Sequence, residues 1–126
     1  MTRTTSTVLS QALLTRRRVR SAGDVGRLED VKKNVEQVMS RHGRIEIVVN
    51  NAAVTSYDLP EKLPEEIWRR ELKVCLTGAF FWSQAAANGS MIQAGKGSIE
   101  NVCSGAALAG CPNLLDTALQ GTVLLV

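Results

Sequence analysis

The run Ile45-Glu46-Ile47-Val48-Val49, closed by Asn50-Asn51-Ala52-Ala53, constrains this chain more than any other feature. It is short, rich in β-branched residues and almost wholly apolar, the pattern of a strand buried on both faces in a parallel sheet. Helical periodicity lies on either side of it. Leu28, Val31, Val35, Val38 and Met39 recur at helical spacing and His42-Gly43 supplies a stop, which predicts a helix over 28–41. His42, the only histidine, is expected to meet the negative end of that helix dipole and not a substrate. After Pro60 and Pro64, Ile67, Leu72, Leu76, Phe80 and Phe81 among helix formers predict a long helix over 65–87, interrupted or strained near Thr77-Gly78. Gly95 and Gly97 flank a turn before a second strand, Ser98 to Cys103, and a last helix starts near Leu114. Helix, strand, helix, strand, with glycines near the strand ends, predicts an α/β protein with a parallel sheet.

A length of 126 residues suits one domain, and 44% hydrophobic with 21% charged residues excludes a disordered or fibrous chain. The apolar stretches 47–49 and 122–126 fall far short of the roughly 20 residues that span a bilayer, so no membrane helix is expected. Cys75, Cys103 and Cys111 are odd in number and lack paired spacing, which predicts neither a disulfide framework nor a metal site and suits a reducing, intracellular setting. Arg3, Arg16, Arg17, Arg18 and Arg20 precede the first acidic residue, Asp24, although the net charge of the whole chain is only +3. Residues 1–18 are therefore expected to form a basic, disordered arm ahead of a domain over 19–126. Such a leader also matches a mitochondrial transit peptide, the alternative to the cytoplasm as a location. Without interleaved aromatic residues or a second basic face it is a poor nucleic-acid binder.

Three segments resemble the short-chain dehydrogenase/reductase family of NAD(P)(H)-dependent oxidoreductases, which have a Rossmann-type fold. Gly43 to Val49 followed by Asn50-Asn51-Ala52-Ala53 is similar to the family's fourth strand and its N-N-A-G motif, with alanine in the last place. Trp68 through Leu76-Thr77-Gly78-Ala79-Phe80 resembles the W…N-x-x-G-x-F helix, and Gly97 through Ser104-Gly105 the fifth strand with its catalytic serine. Asp24-Val25 resembles the pair after the third strand, where the acid contacts adenine. The resemblance covers roughly residues 19–126. It implies a three-layer sandwich, NAD or NADP as cofactor, Asp24, Val25, Asn50, Asn51, Ala52 and Ala53 on the cofactor side, and Ser104 against the substrate's oxygen. In an open α/β sheet these loops would lie at the carboxyl ends of the strands, where ligands bind. A serine that merely closes a strand-end turn needs no chemistry.

The pattern is incomplete. Aligning Gly121 to Leu125 with the segment after the family's catalytic lysine puts Gln120 at that lysine and Asp116 at the tyrosine four residues before it. A phenol and an aspartic acid differ by about six pKa units, and Gln120 brings no positive charge to tune a neighbour. Cys75 stands at the asparagine position, and the sole tyrosine, Tyr57, follows the fourth strand. The T-G-x-x-x-G-x-G loop and the first strand, which would pair with the fourth, are missing, so the fourth strand is expected to have an open edge. Glu100 in an apolar strand is a conflict unless it faces solvent. The expected protein is a truncated and degenerate family member, a partial Rossmann-type three-layer sandwich and a pseudoenzyme without hydride transfer. The alternative is an interaction module that dimerises, or joins an intact relative, through helices 65–87 and 114–126. An oxidoreductase using Asp116 or Tyr57 in place of the tyrosine is a third reading.

Overall fold

The computed structural model describes residues 7–8 and 20–109. Two short ladders and two long helices form the frame. Strand β1 (Thr7–Val8) pairs antiparallel with β2 (Ser21–Ala22), so part of the stretch expected to be an arm lies in a ladder. Helix α1 (Leu28–His42) carries Glu29 and Asp30 in its first turn and Arg41 in its last, each sign at the dipole end that favours it, and His42 closes the helix. It ends at Gly43, whose φ of 73° is the left-handed cap conformation that glycine adopts without a Cβ clash. Strand β3 (Ile47–Asn50) follows, and a loop with a single 3-10 turn at Pro60–Lys62 leads to the second helix.

Helix α2 runs over 65–94 as five consecutive pieces: Glu65–Leu72, a wide π turn at Lys73–Thr77, Gly78–Ala86, a second wide turn at Ala87–Met91, and Ile92–Ala94. The first wide turn coincides with the expected interruption, and the helix extends beyond the expected end at residue 87. An ideal helix rotates residues four apart by about 40° from alignment, and a wide turn removes that drift. One face consequently stays inward along the whole length: Glu71, Gly78, Ala79, Ala86, Ser90 and Met91 are all buried. Its small residues let the turn before α1 approach closely. A Cβ added at Gly78 would sit 3.1 Å from Val25 Cγ2.

Strand β4 (Ser98–Asn101) pairs parallel with β3, Val48 opposite Ile99 and Asn50 opposite Asn101, and a short helix α3 (Ala106–Ala109) follows. The result is the expected α/β, Rossmann-type arrangement in partial form, with helices against one face of a small parallel sheet. Val48, Ala86 and Met91, joined by Ile45 and Trp82, make the core beneath it. The expectation that β3 is buried on both faces is corrected. Val48 is 8% exposed, but Ile47 and Val49, which point the other way, are 61% and 54% exposed. A strand alternates its side chains between two faces, and among the described residues only one face has a covering layer. Glu100 pairs with Val49 on the bare face and is exposed, which removes the conflict its charge presented. Among the described residues β3 pairs only with β4, leaving the other edge open as expected. The helix expected from Leu114 lies outside the described residues.

Candidate functional site

The carboxyl ends of β3 and β4 and the loop after each define one end of the sheet. Asn50 closes β3, and its amide nitrogen donates to Asn101 Oδ1 at 2.9 Å across the sheet and to Ser83 Oγ at 3.1 Å on α2. Ser83 in turn donates to the Ala79 carbonyl at 2.7 Å. Asn50 therefore ties strand, neighbouring strand and helix together, and Asn51, Ala52 and Ala53 leave this knot as an exposed loop of mostly small residues. Short side chains there leave the main chain open to close approach by a ligand.

Asp24 lies between β2 and α1 and its environment is built for a carboxylate. The Gly26 N–H donates to Oδ1 at 2.9 Å and the Lys73 ammonium to Oδ2 at 2.8 Å. That ammonium holds the Asp24 carboxyl below its ordinary range, helped by the Gly26 N–H and opposed by partial burial. Asp24 keeps 37% of its side chain exposed, so the charge remains reachable. Its own N–H donates to Asp30 Oδ2 at 2.9 Å, which fixes the turn into α1. Val25, beside it, is 4% exposed and its side chain belongs to the core under Gly78.

Cys75 and Ser104 both bond to main chain. The Cys75 thiol donates to the Val54 carbonyl at 3.3 Å, and its sulfur accepts the Val54 N–H at 3.4 Å. Ser104 is exposed, and its Oγ accepts the Ala106 N–H at 3.2 Å while its carbonyl accepts the Ala107 N–H, so it caps the first turn of α3. Among the described residues no hydrogen bond joins Ser104 to Cys75 or to the loop 51–54. Asp116 and Gln120 lie outside the described residues. Tyr57 stands 77% exposed on the loop after β3.

Lys73, Asn101, Ser83 and Ser90 were not singled out from the sequence. For Lys73 no local signal exists, because its partner is 49 residues away. Asn101 could have been found from the fact that both strands end in asparagine.

The profile of the short chain dehydrogenase family matches residues 3–115. The chain belongs to this family. As a short-chain dehydrogenase it is 37% identical over 90 residues to the 3-oxoacyl-[acyl-carrier-protein] reductase of Thermotoga maritima, covering 71% of this chain and 36% of that protein. The structure superposes on a gluconate 5-dehydrogenase from Burkholderia cenocepacia, crystallised with NADP and tartrate, with a TM-score of 0.76 and 28% identity over 81% of this chain and 40% of that one. An NAD+-bound xylitol dehydrogenase gives a TM-score of 0.78 and 27% identity, covering 83% of this chain and 40% of its own. The chain thus spans well under half the length of the relatives it matches. The fold is that of a Rossmann-type cofactor site. Among the described residues no helix is long and apolar enough to cross a membrane.

Proposed function

We propose that this chain keeps the adenosine side of a short-chain dehydrogenase's NAD(P) site and does not itself transfer hydride. The observation that carries the first half is Asp24, a reachable carboxylate held ionised by Lys73 and Gly26, which suits an acceptor for an exocyclic amine such as that of adenine. The donor set fits that part of a dinucleotide. Asp24 would take the base, and the exposed loop Asn51, Ala52, Ala53 would let the ribose end approach main chain. A glycine-rich cradle for the pyrophosphate is not among the described residues, so no residue is assigned to it. When bound, the nicotinamide supplies or accepts a hydride. On this reading the chain's own residues do not complete the proton transfer that must accompany it: matching Gly121 to Leu125 with the segment after the family's catalytic lysine puts Asp116 and Gln120 where a phenol and an ammonium are required. Ser104, the one polar side chain aligned with the family's catalytic set and unchanged, already bonds its own turn.

A thermal melt of the purified chain with and without saturating NADH or NADPH tests the binding half. A ligand that binds only the native state at 100 times its Kd stabilises it by about 2.7 kcal/mol, so a clear upward shift is expected. No shift with either nucleotide overturns this half. Cofactor-dependent oxidation of any alcohol, or reduction of any carbonyl, overturns the other.

A second reading is favoured by Phe80, 57% exposed on the outer face of α2 with Phe81 beside it at 6.0 Å between rings. An exposed aromatic ring on a long helix, backed by a half-buried one, suits docking against a second copy or an intact relative. Helices 65–87 and 114–126 are the expected contact. Sedimentation showing a monomer at high concentration, together with no binding to a full-length relative, removes this reading.

A further inference from the structure

We propose that Cys75 is a positioning residue, a thiol latch that fixes the loop 51–54 for nucleotide; the proposal rests on the NAD(P) reading above. At the asparagine position of the family pattern a cysteine reads as a lost function, because a thiol is a weak donor and acceptor. The structure gives it another task. One atom, Sγ, takes both main-chain groups of one residue, accepting the Val54 N–H at 3.4 Å and donating to the Val54 carbonyl at 3.3 Å. Val54 is the residue after Asn51-Ala52-Ala53, and Asn50 before them is anchored to Ser83 and Asn101. The three loop residues are thereby held at both ends, from the sheet side by Asn50 and from the helix side by Cys75.

The same device occurs at the other end of β3. Ser90 Oγ accepts the Ile45 N–H at 2.8 Å and donates to the Ile45 carbonyl at 3.1 Å. Both latching side chains sit within the wide turns of α2, Cys75 in Lys73–Thr77 and Ser90 in Ala87–Met91. A wide turn shifts the local phase of a helix, and wide turns recur at functional positions. As the chain passes from Ile45 through Asn50 to Val54, its contacts on α2 pass from Ser90 through Ser83 to Cys75, so the helix is stitched antiparallel to the strand at three points. Ser90 starts the strand. Cys75 sets what leaves it.

The test compares the full chain with Cys75→Ala, which removes both bonds, and Cys75→Ser, which keeps a donor and an acceptor at the same place. Amide hydrogen exchange of Val54 reads the latch, and titration with NADH reads the site. Faster exchange at Val54 and binding weakened about five- to tenfold in Cys75→Ala, the factor that corresponds to roughly one net hydrogen bond, with both restored toward wild type in Cys75→Ser, is the expected result. A merely structural role would lower the melting temperature of Cys75→Ala and leave its NADH affinity unchanged, which overturns the positioning role. Unchanged Val54 protection in Cys75→Ala overturns the latch itself. If the wild-type chain binds no NADH, the NAD(P) reading and the cofactor half of this proposal fall together, while Val54 exchange still decides the latch.

Discussion

Replacing Glu71 by methionine should stabilise the protein. Glu71 is 2% exposed, on the inward face of α2, one turn before Cys75, and its Oε2 has no hydrogen-bond partner. A buried polar atom without a partner costs about 1–3 kcal/mol, and more where the group is charged. Methionine has a similar length and no branch, fills an irregular gap through its flexible thioether, and removes the orphaned oxygen. Taking the middle of that range, Glu71→Met should gain about 2 kcal/mol. For a domain of this size, between the small and mid-sized classes, that corresponds to a rise of about 6–12 °C in Tm. Urea denaturation followed by circular dichroism at pH 7 gives the free energy, and the slope must match that of the wild type for the comparison to hold. Glu71→Gln separates the contributions, since it keeps the shape and an unpaired polar group and should recover less than methionine does. A Glu71→Met variant less stable than wild type would refute the reasoning, because it would mean that the carboxylate has a partner whose loss outweighs the removal of the orphan.

Because Lys73 depresses the Asp24 carboxyl, this pair contributes stability above the unfolded carboxylate pKa of about 3.9 and loses it as pH falls through the lower folded value. The difference in Tm between wild type and Asp24→Asn should be constant from neutral pH to about pH 5 and shrink below about pH 4; both side chains are more than a third exposed, so it should be small and diminish with salt. Gly26→Ala places a Cβ 2.5 Å from Lys73 Cγ and 2.8 Å from the Lys73 carbonyl oxygen. It should destabilise by about 1–3 kcal/mol in the same denaturation assay, and a neutral result would show that the approach of this turn to α2 is looser than described. Val48→Ala, in the core, should lose about 2 kcal/mol, whereas Val49→Thr on the bare face should stay within about 0.5 kcal/mol of wild type; equal losses would mean that both faces of β3 are covered.

Much of this protein was legible in its residues. The period of Leu28, Val31 and Val35 fixed a helix, the β-branched run at 47–49 fixed a strand, and the N-N-A-A and Trp68-to-Phe80 patterns pointed to the short-chain dehydrogenase family that the profile match establishes. These are local properties. Side-chain spacing sets which stripe of a helix or face of a strand is apolar, and a backbone-approach motif keeps its small residues together in the chain. The break near Thr77-Gly78 was visible for the same reason.

What a side chain touches was not local. Asp24 finds Lys73 across 49 residues, Ser90 finds Ile45 across 45, and Cys75 finds Val54 across 21. No spacing rule connects such pairs, because they meet only when α2 lies antiparallel on β3 and its two wide turns bring one face inward for its whole length. The same applies to exposure. The composition of Ile47-Val48-Val49 suits burial on both faces, yet whether a second layer covers the sheet is decided by what packs there, and the apolar residues themselves carry no record of it. The sequence alone determined the elements and the family. Only the tertiary structure decided that Cys75 bonds the main chain of Val54, that one oxygen of a buried glutamate lacks a partner and that a valine beside Asp24 belongs to the core, since each depends on the surroundings that packing assembles around the side chain.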